Sequence, residues 1–262
     1  MECCPTVEKT DGSCIPYDIL RIMAQHYNDN NNKNGYIDLK LNKTDMVKKF
    51  EKHFGEKHNT WVNNLIFKDL PENIINILQN ETFRHVGPQG SFSWLSTVDL
   101  DNVLKQYELK YTDFKFLGAV PIDFEELTNF EINSIDFNEL IKKNITRFGV
   151  IFNLDEHYKN GSHWVSLFFD LKNKKIYFSD SVGLKPEKRI EQYINKIIKL
   201  FGEDLEYKYN KTKHQKGNSE CGVYSINFIL RLLKGKTFEH ITNKRMPDEK
   251  INKCRNIYFN KK

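Results

Sequence analysis

A chain of 262 residues is long enough for one large domain, or a domain with an extension, around a sizeable core. Hydrophobic residues make up only 39%, but bulky aromatics reach 13%, and no apolar run approaches a membrane span, so a soluble, intracellular protein is expected rather than a membrane one. The formal charge of +5 comes from 40 basic and 35 acidic side chains scattered along the chain, so a basic stripe is not evident and nucleic acid stays an open alternative partner.

The opening Met1-Glu2-Cys3-Cys4-Pro5 lacks the basic-then-apolar pattern of a signal peptide. Reduced thiols are therefore the expectation for the five cysteines. Cys3, Cys4 and Cys14 match no zinc spacing and Cys254 stands far away, so no metal site is expected.

Pro16 can open a helix to about Tyr27, with Ile19, Ile22, Met23 and Tyr27 on one face. The polar stretch 28–35 reads as a loop. Helices are expected over 45–54, ended by Gly55, and over 71–79. Ser96 and Asp99 have capping-box spacing, with Asp standing in for Glu, ahead of a helix to about Tyr107. The segments 148–154, 163–169 and 175–179 are short and rich in β-branched and aromatic residues, and read as consecutive antiparallel strands. A helix over 187–200 follows Pro186, and 206–210 reads as one more strand. Residues 221–233 are apolar over most of a helical circumference and predict a buried helix stopped by Gly235; Pro247 starts a last helix toward Phe259.

The pattern is α+β: a small antiparallel sheet packed against a central helix that starts with Cys221. Residues 1–86 are expected to form a helical N-terminal extension or subdomain, and 87–262 a second domain built around that helix.

Four side chains suggest chemistry. A cysteine at a helix N-terminus has its thiolate favoured by the helix dipole and by a nearby imidazolium. A buried structural cysteine is the alternative for Cys221 alone. His163, at the start of a strand, can serve as general base. Asp180, ending the next strand, can orient the imidazole, and Gln215 can donate to an oxyanion beside the Cys221 N–H. Gly222 is expected to leave space beside the attack point.

The order His163-Trp164, Asp180-Ser181, then Gln215-x5-Cys221-Gly222 resembles the Ulp1-like and adenain-like cysteine proteases. The segment Trp94-Leu95-Ser96-Thr97-Val98-Asp99 is similar to the Trp-Leu-Asn-Asp element of the Ulp1 group, with Ser96 and Thr97 in place of Asn-Asp. The segments 94–107 and 246–259 resemble more closely the thiol proteases of nucleocytoplasmic large DNA viruses.

The resemblance implies a papain-like thiol protease of the Ulp1/adenain type, with Cys221 as nucleophile, His163 as base, Asp180 as orienting acid and Gln215 in the oxyanion hole. It implies further that Trp94 and Trp164 enclose a channel for a Gly-Gly dipeptide; the alternative is two ordinary core aromatics. No metal or organic cofactor is implied. The expected enzyme is a monomer acting on a protein substrate with a Gly-Gly-x site or a ubiquitin-like tail. If viral, it would process virion or structural polyprotein precursors, in the virion or the host cytoplasm. Alternatives are an isopeptidase that removes SUMO or ubiquitin, an acyltransferase, and a non-catalytic binder of ubiquitin-like tails.

Overall fold

The computed structural model describes residues 2–31, 35–89 and 93–261, and the chain divides into two units, Met1–His85 and Val86–Lys262. In the first unit, Pro16 stands in extended geometry at the head of α1 (Tyr17–Asn30), where its missing N–H costs nothing. This helix buries Ile19, Leu20, Met23, Ala24 and Tyr27, whereas Ile22 is 39% exposed and does not share that face. At 3.6 residues per turn Ile22 falls well off the stripe through Leu20, Met23 and Tyr27. The helix also runs past Tyr27 to Asn30, so the expected loop loses its first residues; positions 32–34 lie outside the described residues.

Asn42 caps α2 (Lys43–Phe54) by accepting the Asp45 N–H, and Gly55 ends it at φ 83°. The helix expected over 71–79 is instead α3 (Glu72–Asn76), which passes into a π-type turn, Ile77–Thr82. Phe50 stacks on Trp61 at 5.2 Å within a core that includes Ile19, Met23 and Phe67. The expectation of reduced thiols fails here: Cys3 and Cys14 form a disulfide, with Cα atoms 5.4 Å apart. Cys3 bridges Phe83, and Thr10 bridges Ser13, so the segment turns back on itself and brings the two sulfurs together. Cys4 stays free and buried.

The second unit begins with α4 (Thr97–Lys110), under a complete capping box: Ser96 Oγ accepts the Asp99 N–H, and the Asp99 carboxylate accepts the Ser96 N–H at 2.8 Å. In chain order there follow β1 (Phe114–Pro121), α5 (Phe137–Lys142), β2 (Arg147–Asn153), β3 (Trp164–Asp170) and β4 (Lys175–Ser179). Then come α6 (Lys188–Phe201), β5 (Glu206–Tyr209), α7 (Cys221–Leu233), α8 (Phe238–Thr242), α9 (Asp248–Asn252) and α10 (Arg255–Tyr258). The single helix expected after Pro247 is thus two short ones.

The five strands lie in the order β1-β2-β3-β4-β5. The β2–β3 and β3–β4 pairs are antiparallel, as expected, but the outer pairs β1–β2 and β4–β5 are parallel, so the sheet is mixed. Strand β1 was not expected. Its sequence contains Gly118 and ends in Pro121, and its pairing shifts between Phe116 and Ala119, where Gly118 takes φ 108°.

Strand β3 is buried along its whole length, with a different core on each face. Trp164 and Phe168 pack with Val223, Ile226 and Ile229 of α7 and with Leu100 and Leu104 of α4. Val165, Leu167 and Phe169 pack with Ile190, Ile194 and Ile197 of α6. Each such buried aliphatic contributes about 1.5–3 kcal/mol, which holds α7, and Cys221 at its head, rigidly against the sheet.

Candidate active site

The register of the central strands brings two of the candidate residues together. Ser166 of β3 pairs with Ser179 of β4, so His163, just before β3, and Asp180, just after β4, fall at one end of the sheet. His163 Nε2–H donates to Asp180 Oδ1 at 2.7 Å, and Cys221 also acts on the ring. Burial works against the charged ring, but Asp180 and Cys221 together outweigh it and push its pKa up to about 9. The ring is therefore an imidazolium at neutral pH, beside a thiol at the first position of α7.

Asp180 is itself fixed. It is 2% exposed, and Oδ1 also accepts the Val182 N–H at 2.9 Å. Its backbone carbonyl accepts from Asn210 Nδ2 at 2.8 Å and from the Gly183 N–H at 2.9 Å. Asn210, expected as the last residue of β5, lies wholly buried just past it.

Gln215 is buried, and its amide orientation is set by two hydrogen bonds. Ser181 Oγ donates to Oε1 at 2.6 Å, and Nε2 donates to the Gly217 carbonyl at 3.0 Å, leaving a second Nε2 hydrogen for another acceptor. The Ser181 carbonyl also accepts the N–H groups of His214 and Gln215, at 2.8 and 2.9 Å. Ser181 thus ties the loop before Cys221 to the strand end that carries Asp180, a task its place after Asp180 did not reveal.

Trp94 and Trp164 line one cleft of ≈ 470 Å³, with Leu95, Ser96, Thr97, Asn153 and Gly161. They are not equivalent: Trp94 is 43% exposed, and Trp164 is 5% exposed and also part of the core. Neither His163 nor Cys221 lines this cleft, although each is adjacent in sequence to a residue that touches it or its wall. The expected open space at Gly222 is filled: a Cβ there would meet Leu95 Cβ at 3.1 Å, so the glycine admits the Trp94-Leu95 segment against α7.

Among the described residues no cluster of three or more His, Cys, Asp or Glu side chains can hold a metal ion, and no helix is long and apolar enough to cross a membrane.

The C-terminal catalytic domain of the Ulp1 protease family matches residues 148–259. A protein of Acanthamoeba polyphaga mimivirus named as a thiol protease is 36% identical over 278 residues, covering 96% of this chain and 90% of its own. An African swine fever virus protein named a SUMO-1 cysteine protease is 24% identical over 196 residues, or 68% of this chain and 71% of its own. The crystal structure of an African swine fever virus protease shares the fold, with a TM-score of 0.70 at 20% identity over 100% of this chain and 96% of that one. A mixed α+β domain with a cysteine heading its central helix, and a full-length viral relative at this identity, make the chain a member of the Ulp1 family of cysteine proteases and a cysteine-type peptidase.

Proposed function

We propose that the chain is an endopeptidase that cuts after Gly-Gly in viral structural precursors, with Cys221 as nucleophile. The observation that carries this reading is His163, hydrogen-bonded to Asp180 and held in its charged form by Asp180 and by Cys221 at the head of α7. The Cys221 thiolate attacks the scissile carbonyl, and the oxyanion forms against the Cys221 N–H and the free hydrogen of Gln215 Nε2. Imidazolium His163 gives its proton to the departing amine. It then takes one from water, which releases the acyl group and regenerates the thiolate. Asp180 holds the ring oriented and balances its charge.

The tryptophan cleft supports the Gly-Gly preference. Flat indoles at Trp94 and Trp164 suit a backbone without side chains. The viral source of the relatives supports a precursor substrate, and with it a place in the virion or the host cytoplasm. A second reading, removal of a SUMO-like protein from lysine, is favoured by the name of the African swine fever virus relative and uses the same residues.

The test measures kcat/KM on peptides containing Gly-Gly-Ala and Ala-Ala-Ala and on a SUMO conjugate. The proposal expects the first to be cut at least tenfold faster than the second, an added methyl costing about 1–3 kcal/mol in a closed site. Equal cleavage of both peptides would remove the tryptophans from specificity. Faster cleavage of the conjugate than of either peptide would favour deconjugation.

A further inference from the structure

Arg255 heads α10, in the C-terminal segment 246–259, to which the reaction as described gives no part. Its side chain is 0% exposed. Nε donates to Asn252 Oδ1 at 2.8 Å. One terminal nitrogen donates to the Pro88 carbonyl at 3.4 Å. The other donates to the carbonyls of Ser93 at 2.8 Å and Ser219 at 3.1 Å. All four acceptors are neutral oxygens.

A buried guanidinium without a direct ion pair is costly, because burial penalises its charge. The charges within its reach are those of Glu220, Asp99 and Cys221. Glu220 is itself buried and already engaged: its carboxylate accepts the N–H and hydroxyl of Ser219, at 3.1 and 2.9 Å, and Asn252 Nδ2 at 3.1 Å. The rest of the loop rests on the same segment. Asp248 Oδ2 accepts the N–H groups of Lys216 and Gly217, each at 2.9 Å, and the Met246 N–H donates to His214 Nδ1 at 3.0 Å.

We propose that Arg255 is a positioning residue for Cys221: its fork ties the Ser219 carbonyl, ahead of the nucleophile, to the Ser93 carbonyl, ahead of Trp94. The same guanidinium nitrogen that grips Ser219, two residues before the thiol, grips Ser93, one residue before Trp94. It thereby sets the spacing between the nucleophile loop and the exposed indole of the substrate cleft. Among the described residues no carboxylate bonds to it directly; of the charges that act on it, that of Glu220 is the largest, ahead of Asp99 and Cys221.

The inference rests on Cys221 being the nucleophile, and two variants test it. Arg255→Lys keeps the charge and loses the fork; Arg255→Met loses both. Iodoacetamide alkylation, with the labelled peptide identified by mass, is run alongside kcat and KM on a Gly-Gly-Ala peptide and a thermal melt. In the unmodified enzyme a label on Cys221 should abolish activity; loss of activity from a label on another cysteine sinks the nucleophile assignment itself. Arg255→Lys should lose about tenfold in kcat with little change in KM, and Arg255→Met at least as much. Unchanged kcat in folded Arg255→Met overturns the proposal. If that variant does not fold, Arg255→Lys decides: unchanged kcat, even with a lowered melt, means that Arg255 only supports the fold.

Discussion

Trp164 Nε1 donates to the Leu95 carbonyl at 3.0 Å, and Leu95 in turn closes on Gly222. These contacts join three short sequence elements that are far apart in the chain. The pair Trp94-Leu95 is held to the start of β3 and to the first turn of α7, so the exposed indole of Trp94 has a fixed place beside the head of the helix that carries Cys221. The burial of Trp164 is thus compatible with its lining the cleft: one indole anchors the wall from which the other projects.

Gly222→Ala follows directly from this contact. The added Cβ would lie 3.1 Å from Leu95 Cβ and 3.3 Å from Leu95 Cδ1, so Leu95 must give by a few tenths of an ångström and carry Trp94 with it. Overpacking of this kind costs about 1–3 kcal/mol. Peptidase activity should fall about tenfold, with a rise in KM, while the protein still melts cooperatively. Kinetics at wild-type level would mean that the Trp94-Leu95 segment adjusts freely.

Cys221→Ala should remove turnover and leave the melt nearly unchanged, because a methyl side chain fits the head of α7 and Cys221 makes no disulfide. Cys254 is also a free thiol, but burial raises its pKa and its neighbours are Asn227 and Tyr258, so Cys254→Ala should keep activity within about twofold. Residual turnover in Cys221→Ala, after mass spectrometry excludes unmodified enzyme, would move the nucleophile elsewhere.

The pH dependence of stability should carry the signature of His163. Its pKa stands at about 9 in the folded protein, against the ordinary imidazole value of 6.5, so the folded state holds the proton more tightly. The resulting stabilisation is complete below pH 6.5 and is lost as pH rises through about 9. Relative to His163→Asn, the unmodified protein should lose on the order of 2–4 kcal/mol of unfolding free energy between about pH 6 and pH 10. Urea titrations of both proteins across that range check this. A difference that stays constant with pH would mean that the imidazole has no charged partner.

Local signals account for what was legible in the sequence. The limits of α7 followed from an apolar circumference and Gly235, and the start of α4 from Ser96 and Asp99 three residues apart. Such features depend on neighbours within one or two turns. Strand β1 lacked them, because Gly118 and Pro121 interrupt its pattern and its partner β2 lies beyond an intervening helix. The Cys3–Cys14 bridge was hidden for a related reason: nothing in a spacing of 11 residues shows that the chain between them doubles back. Arg255 was harder still. Its partner carbonyl at Ser93 is 162 residues away, and a backbone oxygen leaves no mark on the sequence. The candidate residues His163, Asp180, Gln215 and Cys221 were legible as motif residues, whereas Ser181, Asn210 and Arg255, which bond to them or to the loop beside them, are ordinary polar residues until the fold gives them partners.

Asp180 offers the sharpest separation of charge from shape. Its Oδ1 accepts from both His163 Nε2 and the Val182 N–H, and Asn210 holds its backbone, so truncation removes the partner of the ring while the loop stays tethered. Asp180→Ala should lower kcat by about ten- to a thousandfold and change KM much less, because the lost interaction is strongest when the imidazole is charged. The same variant should move the alkaline limb of kcat/KM down from about 9, since the Asp180 hydrogen bond and charge both raise the ring's pKa. Asp180→Asn keeps an acceptor for the ring and for Val182 but removes the charge. Its kcat should fall between the two, with an alkaline limb closer to that of the alanine variant. If asparagine and the unmodified enzyme share the same limb, shape alone orients His163. If alanine leaves kcat within about twofold, His163 and Cys221 act as a pair and Asp180 serves the turn that follows β4.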